Sequence, residues 1–467
     1  LYLWAALTYL RFDQQRRQSD YVWATVLFLA ALFTKTVTAT LPAALLVIFW
    51  WQRGKLDWRR DVMPLLPWFV LGAAGGLLTA HFEKEFIGAH GAEFALSFAD
   101  RLVLAGRVFW FYLGKLVWPA DLVFIYPRWS IDASVAWQWL FTAAGSGLLG
   151  ALVGWSRRSR GPLAAALFFG GSLFPALGFF NVYPFLFSYV ADHFQYLASL
   201  GVFALAGAGL ALAGERFGRQ MMWGGAGVLL AACAVLTWNQ SAIYRDESSL
   251  WQATLARNPD CWIAHNNLAL VLANDGRAAE AVPHLETALR LRPDFPEALN
   301  NLAGQYVDQG RAAEALPVVE RALTLQPKYP AASNTRGRAL LALGRADDAA
   351  RCFDDAVKLD PQFTTAWCNL GLAEVNRGHA AEALPHFARA AQLDPNYLPA
   401  EFLAGATLVQ LNRPAEAVPH LERALALDED HAMAHFQLAL ALRSLGRTAE
   451  ANQHYQAAIQ LDPRLAR

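Results

Sequence analysis

Charge is scarce in this sequence. Only 17% of its 467 residues are Asp, Glu, Lys or Arg, against roughly 25% in ordinary globular domains. The 39 basic residues balance 39 acidic ones, so the chain lacks the electrostatic footprint of a nucleic-acid binder and no nucleic-acid partner is expected. Cysteine is scarce too. Cys233, Cys261, Cys352 and Cys368 form no CxxC and no His/Cys zinc spacing, so neither a disulfide framework nor a zinc site is expected. No Ser/His/Asp elbow, Walker loop or GxGxxG opening a helix stands out. The opening run LYLWAALTYL has no Met and no basic n-region. It does not fit a signal peptide and reads as the end of a span in a chain that continues upstream of Leu1.

What the chain has in quantity is apolar surface, 55% of its residues, with 17 Trp and 29 Phe. Most of these aromatics fall in the first half. Residues 1–244 carry 18 Lys/Arg and 12 Asp/Glu, and the remainder carries 21 and 27. Two physically different objects share the chain: a polytopic transmembrane domain over 1–244 and a repeat domain over 245–467. A helix needs about 20 apolar residues to cross a ~30 Å hydrocarbon core. Spans are expected at 1–10, 21–34, 36–51, 62–80, 136–155, 162–180, 196–214 and 221–243. Lys35 breaks the 21–51 stretch into two, because a lysine at mid-membrane is costly.

Basic residues set the orientation. Arg11, Arg16 and Arg17, then Arg53, Lys55, Arg59 and Arg60, then Arg157, Arg158 and Arg160, then Arg216 and Arg219 all fall on one side, which is read as cytoplasmic. Lys35, residues 81–134 and 181–195, and everything after Tyr244 then face outward. Residues 101–118 are apolar enough to span but contain Arg101, Arg107 and Lys115, which favours a segment at the outer interface.

From Pro259 the chain repeats every 34 residues. Pro259, Pro293, Pro327, Pro361, Pro395 and Pro463 are spaced by 34 or a multiple of it, with Glu429 in the missing slot, as are Gly276, Gly310, Gly344, Gly378 and Gly446, with Asn412 in theirs. An acidic residue followed by Ala recurs in the same register. The period and its residues are those of the tetratricopeptide repeat. Each unit is two helices joined by a left-handed Gly or Asn, with small Ala residues such as Ala264, Ala281 and Ala288 at their contact. Six full units are expected from about 262, preceded by a half repeat over Asp246–Pro259 that places Trp251 in the slot of Leu285. The fold class is therefore all-α: a polytopic helical membrane domain followed by a tetratricopeptide α-solenoid, whose concave groove suits a protein or peptide partner.

The outward segments carry unusual motifs: Phe33-Thr34-Lys35-Thr36, Tyr112-Leu113-Gly114-Lys115, Phe124-Ile125-Tyr126-Pro127 and Ala191-Asp192-His193-Phe194-Gln195-Tyr196. A membrane half with these motifs followed by tetratricopeptide repeats resembles the transmembrane and tetratricopeptide repeat-containing O-mannosyltransferases and their bacterial relatives, which are of the GT-C type. The resemblance implies transfer of a mannose-like sugar from a polyprenyl-phosphate donor to a protein acceptor on the outer face of a membrane, here a bacterial inner membrane. It also implies an acidic catalytic residue in a first outer loop, expected upstream of Leu1, so no catalytic residue is named. Lys35 is the strongest expected contact to the lipid phosphate. Asp192 and His193 follow, with His193 standing where the family pattern has Arg. Arg101 and Lys115 are placed on the same phosphate or on lipid headgroups.

Asn267, Asn301 and Asn369 share one slot on the first helix of their repeats, interrupted by Thr335, Leu403 and Gln437. This ladder resembles the peptide-holding superhelix of the O-linked N-acetylglucosamine transferases and is assigned to the acceptor groove. Ordinary polar groups on a solvated face are the alternative. No cofactor beyond the polyprenyl-phosphate donor is expected. A divalent metal on His81, Glu83, Glu85 and His90 is the weaker option, and no metal site is assigned. The competing reading of the whole chain is a membrane-anchored scaffold whose repeats recruit proteins without catalysis.

Overall fold

The computed structural model describes residues 1–87, 91 and 94–466. Every regular element among them is helical. They divide into two compact units, Leu1–Ala264 and His265–Arg467.

The first unit contains α1 (Tyr2–Gln15), α2 (Gln18–Thr34), α3 (Leu41–Arg53), α4 (Leu66–Phe82), α5 (Phe98–Val117), α6 (Trp139–Trp155), α7 (Gly161–Leu173), α8 (Ser199–Phe217), α9 (Arg219–Ser241) and α10 (Glu247–Arg257). Helices α1–α4 and α6–α9 fall on the eight apolar runs of the sequence. Three continuous helical stretches, Trp58–Phe86, Ser199–Phe217 and Arg219–Tyr244, are long and apolar enough to cross a membrane. On α9, Trp223, Val228, Leu230 and Trp238 are all exposed, a surface that fits lipid better than water.

Two cores hold this unit together. In one, Tyr9, Phe28, Leu45, Phe49 and Trp68 are fully enclosed between α1, α2, α3 and α4. The Trp68 ring stacks on Phe28 at 4.5 Å, and its indole N–H donates to Thr25 Oγ at 2.9 Å. The other core joins α5 and α7 to the segments around residues 123–126 and 185–190 through Leu104, Val108, Tyr112, Phe169, Leu173 and Tyr189. Helix α5 begins with a reciprocal cap between Ser97 and Asp100 and buries Val103, Leu104, Val108 and Tyr112 along one face. That spacing is why a segment carrying three basic residues still packs as a full helix. Gly106 lets it approach α6, because a Cβ there would lie 2.5 Å from Thr142 Oγ.

At the opposite end of α1 and α3, Arg53 bridges two buried carboxylates, Asp13 and Asp61. Arg16 pairs with Asp13 at 2.7 Å, and Arg160 reaches the Trp50 carbonyl at 3.3 Å. Arg16, Arg53 and Arg160 therefore meet around the end of α3 and the segment that follows it, part of their charge held by acidic partners.

The second unit is six helix pairs: α11 and α12 (Trp262–Asn274, Ala278–Leu291), α13 and α14 (Pro296–Asp308, Ala312–Leu325), α15 and α16 (Pro330–Ala342, Ala346–Leu359), α17 and α18 (Thr364–Asn376, Ala380–Leu393), α19 and α20 (Leu398–Gln410, Pro414–Leu427), α21 and α22 (Ala432–Ser444, Thr448–Leu461). The turn inside each pair is left-handed, with φ between 75° and 85° at Gly276, Gly310, Gly344, Gly378 and Gly446 and 59° at Asn412. First helices of successive repeats pack on one another, α13 on α15, α15 on α17 and α19 on α21. They therefore form the inner layer of the solenoid, with the second helices outside.

The preceding half repeat is present as α10, capped by Asp246, whose carboxylate accepts from the Ser249 N–H at 2.7 Å. It belongs to the compact first unit, which extends past residue 244 as far as Ala264. Trp251 packs edge-on to Phe124 at 5.6 Å, and Asn258 donates to the Ile125 carbonyl at 3.2 Å.

Candidate functional site

Helix α5 and the segments after it in the first unit converge on the turn Asp192–Gln195, which follows an extended Ala191. Tyr112, projecting from α5, fixes Ala191 at both backbone groups. Its hydroxyl donates to the Ala191 carbonyl at 3.1 Å and accepts from the Ala191 N–H at 2.9 Å. Tyr126 donates its hydroxyl proton to Asp192 Oδ1 at 2.7 Å. Burial raises the Asp192 carboxyl above the usual carboxylate range, opposed by the Tyr126 hydrogen bond and the charge of Lys115. His193, half-buried, is pushed below the usual imidazole value by burial and then by the nearby charge of Lys35. Lys35, Lys115, Tyr126, Asp192 and His193 thus come from four separated stretches into one electrostatic neighbourhood.

The cations differ in what they are free to do. Lys35 ends α2 in an extended conformation, and its carbonyl accepts from Thr38 Oγ at 2.7 Å. Its side chain is exposed, and its ammonium has no hydrogen-bond or ion-pair partner among the described residues. Lys115 instead donates to the Ala120 and Asp121 carbonyls, the latter at 3.3 Å, and lies 5.5 Å from the centre of the Tyr126 ring. Arg101 is turned toward its own fold, donating to the Gly178 carbonyl at 2.6 Å and to Asn181 Oδ1 at 2.9 Å. Among the described residues, Lys35 and His193 are the members of this group whose side chains make no hydrogen bond or ion pair. Lys115 and Arg101 hold the segments around them.

Tyr112 and Tyr126 lie within two of the unusual motifs of the sequence, yet neither tyrosine is singled out there as a functional residue. The available signal was a tyrosine in each of two outer motifs, and nothing local ties either one to Ala191 or Asp192.

The loop suggested for a metal is used differently. Glu83 accepts from the Tyr183 N–H at 2.8 Å, Glu85 pairs with Lys84 at 3.7 Å, and His81 lies against the rings of Phe82 and Phe86. His90 lies outside the described residues. Among the described residues no group of three or more His, Cys, Asp or Glu side chains is arranged to hold a metal.

In the solenoid, Asn267, Asn301 and Asn369 are half-buried on the inner helices. Asn301 donates to Asn266 Oδ1 and Asn369 to Asn334 Oδ1, each at 2.9 Å and each across a repeat boundary. Asn267 accepts from Asn266 Nδ2 at 3.1 Å. The ladder first ties repeat to repeat, and one amide N–H of each donor remains for other partners. At the interruption, Thr335 stands where the next donor would be, and the buried Asn300 Oδ1 is left without a partner.

Residues 248–284, 275–330, 334–397 and 402–466 match the tetratricopeptide repeat family model. A stretch of 105 residues is 35% identical to the protein O-mannosyl-transferase Tmtc2 of Drosophila melanogaster, covering 22% of this chain and 11% of that protein. The chain thus spans about a tenth of the length of the curated relative it matches. Among solved structures, the tetratricopeptide protein YrrB, described as having an unusual peptide-binding site, is similar over 40% of this chain and 96% of its own, at 24% identity and a TM-score of 0.31. PilF of Pseudomonas aeruginosa is similar over 43% of this chain and 92% of its own, at 19% identity and a TM-score of 0.39. The repeat half is a tetratricopeptide solenoid, a fold whose general use is to bind protein or peptide partners.

Proposed function

We propose that this chain is a membrane glycosyltransferase that moves a mannose-like sugar from a polyprenyl phosphate to a protein presented by its solenoid. One observation carries the reading: an unpaired, exposed Lys35 set beside His193 and the Asp192–Tyr126 pair on the outer segments. In such a transfer the bond from the anomeric carbon to the phosphate oxygen breaks, and that oxygen leaves with the electron pair. The acceptor hydroxyl oxygen bonds to the anomeric carbon and gives up its proton to a base. Negative charge collects on the departing lipid phosphate, and a fixed cation beside it lowers the barrier. Lys35 supplies that cation. His193 supplies a second one only when protonated, which its lowered pKa disfavours at neutral pH.

The stretch shared with an O-mannosyl-transferase supports the same chemistry. The asparagine ladder supports an acceptor held by its backbone, since each donor asparagine keeps an amide N–H and a carbonyl oxygen beyond its inter-repeat bond. Outward placement of the repeats in a bacterial inner membrane belongs to this proposal.

The test is transfer of labelled mannose from polyprenyl-phosphate mannose by membranes containing the chain. Lys35→Ala is expected to lower transfer tenfold or more while the protein still inserts, and Arg101→Gln is expected to disturb folding before turnover. Full activity in Lys35→Ala overturns the assignment of that lysine. No transfer by the native chain, with peptide binding to the solenoid retained, establishes the non-catalytic scaffold instead.

A further inference from the structure

The solenoid carries a column of histidines that the groove reading does not use. His265 on α11 meets His284 on α12, and 170 residues along the chain His435 on α21 meets His454 on α22. In both pairs the Nδ1 atoms are 2.9 Å apart and the ring centres 5.1 Å apart. The two pairs occupy the same slots of the first and last full repeats. Between them the slots hold Leu299/Val318, Ser333/Cys352, Trp367/His386 and Glu401/His420. Histidine thus recurs in the second slot, and only the first and last repeats set a second histidine against it.

We propose that each of these two histidine pairs binds a divalent transition metal, of the nickel and copper class, through its facing Nδ1 atoms. The geometry sets the preference. Two nitrogens 2.9 Å apart, each about 2.1 Å from a metal, subtend about 87° at it. That angle fits two neighbouring corners of a square or an octahedron. A tetrahedral ion would need the nitrogens about 3.4 Å apart, so zinc is expected to bind more weakly.

The C-terminal pair is also prepared in its outer contacts. His435 Nε2 lies 2.9 Å from the Glu429 carbonyl oxygen. A carbonyl only accepts, so Nε2 carries the proton and Nδ1 presents its lone pair toward His454. This is the arrangement by which a backbone carbonyl orients a metal-binding imidazole. In the metal-free pair a single proton bridges the two Nδ1 atoms, donated by His454. Around His454 stand Glu422 and Glu450, with Arg447 opposing them. Arg447 is engaged by Glu450 at 2.8 Å, and among the described residues no third His, Cys, Asp or Glu side chain joins the pair in a metal-holding group. Water completes the coordination of a half-buried pair.

Binding displaces the bridging proton, so one proton is released per metal taken up. The experiment is calorimetric titration of the full chain, purified in detergent without a polyhistidine tag, with Ni2+ in buffers of different ionisation enthalpy. Two equivalents are expected, each releasing about one proton. His435→Gln is expected to remove one equivalent and His265→Gln with His435→Gln to remove both. His386→Gln, whose ring stacks on Trp367, is expected to leave both. On the native protein, Ni2+ is expected to shield His435 and His454 from diethylpyrocarbonate, read by mass spectrometry of their peptides. Two equivalents retained in His435→Gln, or no uptake and no shielding in the native chain, overturns the proposal.

Discussion

Gly337 and Phe353 allow a worked test of how the solenoid is packed. A Cβ on Gly337 would lie 2.5 Å from Phe353 Cε1 and 2.8 Å from Cδ1 and Cζ. Ordinary carbon contacts are about 3.5–4.0 Å, so the ring would have to retreat by about 1 Å. Phe353 is fully enclosed, and overpacking of this kind costs about 1–3 kcal/mol. The same substitution gains up to about 1 kcal/mol of helix propensity, so Gly337→Ala is expected to destabilise by about 1–2 kcal/mol. Phe353→Val alone leaves a void and costs about 2–3 kcal/mol. The second repeat already holds Ala303 and Val319 at the equivalent slots, both fully buried. Introducing Gly337→Ala and Phe353→Val together reproduces that pairing, so their joint cost should fall below the sum by about 1 kcal/mol or more. Urea unfolding of the solenoid gives the four stabilities, and hydrogen exchange in α15 and α16 gives the local ones, at about tenfold in protection per 1.4 kcal/mol. Strict additivity would refute the reasoning.

Gly344 has a φ of 75° and nothing within 4 Å of a Cβ placed on it. Gly344→Ala therefore isolates backbone strain from crowding and should cost about 1–2 kcal/mol by the same urea assay, with an unchanged stability counting against the left-handed cap. The solenoid should also weaken in mild acid. His284, His386 and His454 are held below the ordinary imidazole value, chiefly by burial, so the unfolded chain binds more protons than the folded one as pH falls through about 6.5. Stability is full above that value and declines below it. The carboxylates paired with an arginine three residues earlier in the same repeat, Glu280 and Glu416 among them, are shifted downward and lose their contribution only in more acidic solution. A urea midpoint that is lower at pH 5.5 than at pH 7.5 is expected, and an equal or higher one would contradict the sign.

Helices α1–α4 and α6–α9 were legible because each is written as an apolar run, and the repeats because glycine and proline recur at one spacing. A positive φ favours glycine or asparagine, so the turns inside the repeats were readable residue by residue, including Asn412, whereas the left-handed Arg16 and Asp121 were not. The site was legible only in outline. Lys35, Asp192 and His193 stand out as ionisable residues beside apolar runs, but their meeting depends on contacts over long sequence separations. The clamp of Tyr112 on Ala191 and the bond from Tyr126 to Asp192 are of that kind. So is the commitment of Arg101 to Gly178 and Asn181, which an arginine at the start of a helix does not announce. The asparagine slot was visible as a column. The acceptors Asn266 and Asn334 lie one residue off it, and only the stacking angle of successive repeats brings donor and acceptor together.

One short loop, 119–128, meets both the candidate site and the first helix of the repeat series. Its Ala120 and Asp121 carbonyls hold Lys115, and its Tyr126 holds Asp192. Its Leu122 carbonyl accepts from Gln240 at the end of α9, at 3.4 Å. Its Phe124 packs on Trp251, and its Ile125 carbonyl takes the Asn258 amide. Adjacent residues in an extended segment cannot move independently, since only two soft dihedrals separate one from the next. Whatever fixes Ile125 therefore restricts Tyr126, and through Tyr126 the carboxylate of Asp192. This accounts for α10 following the last candidate span directly. A flexible linker at 245–258 would leave the Tyr126 segment without its outer support, whereas a helix capped by Asp246 and anchored by Trp251 and Asn258 gives it a rigid one.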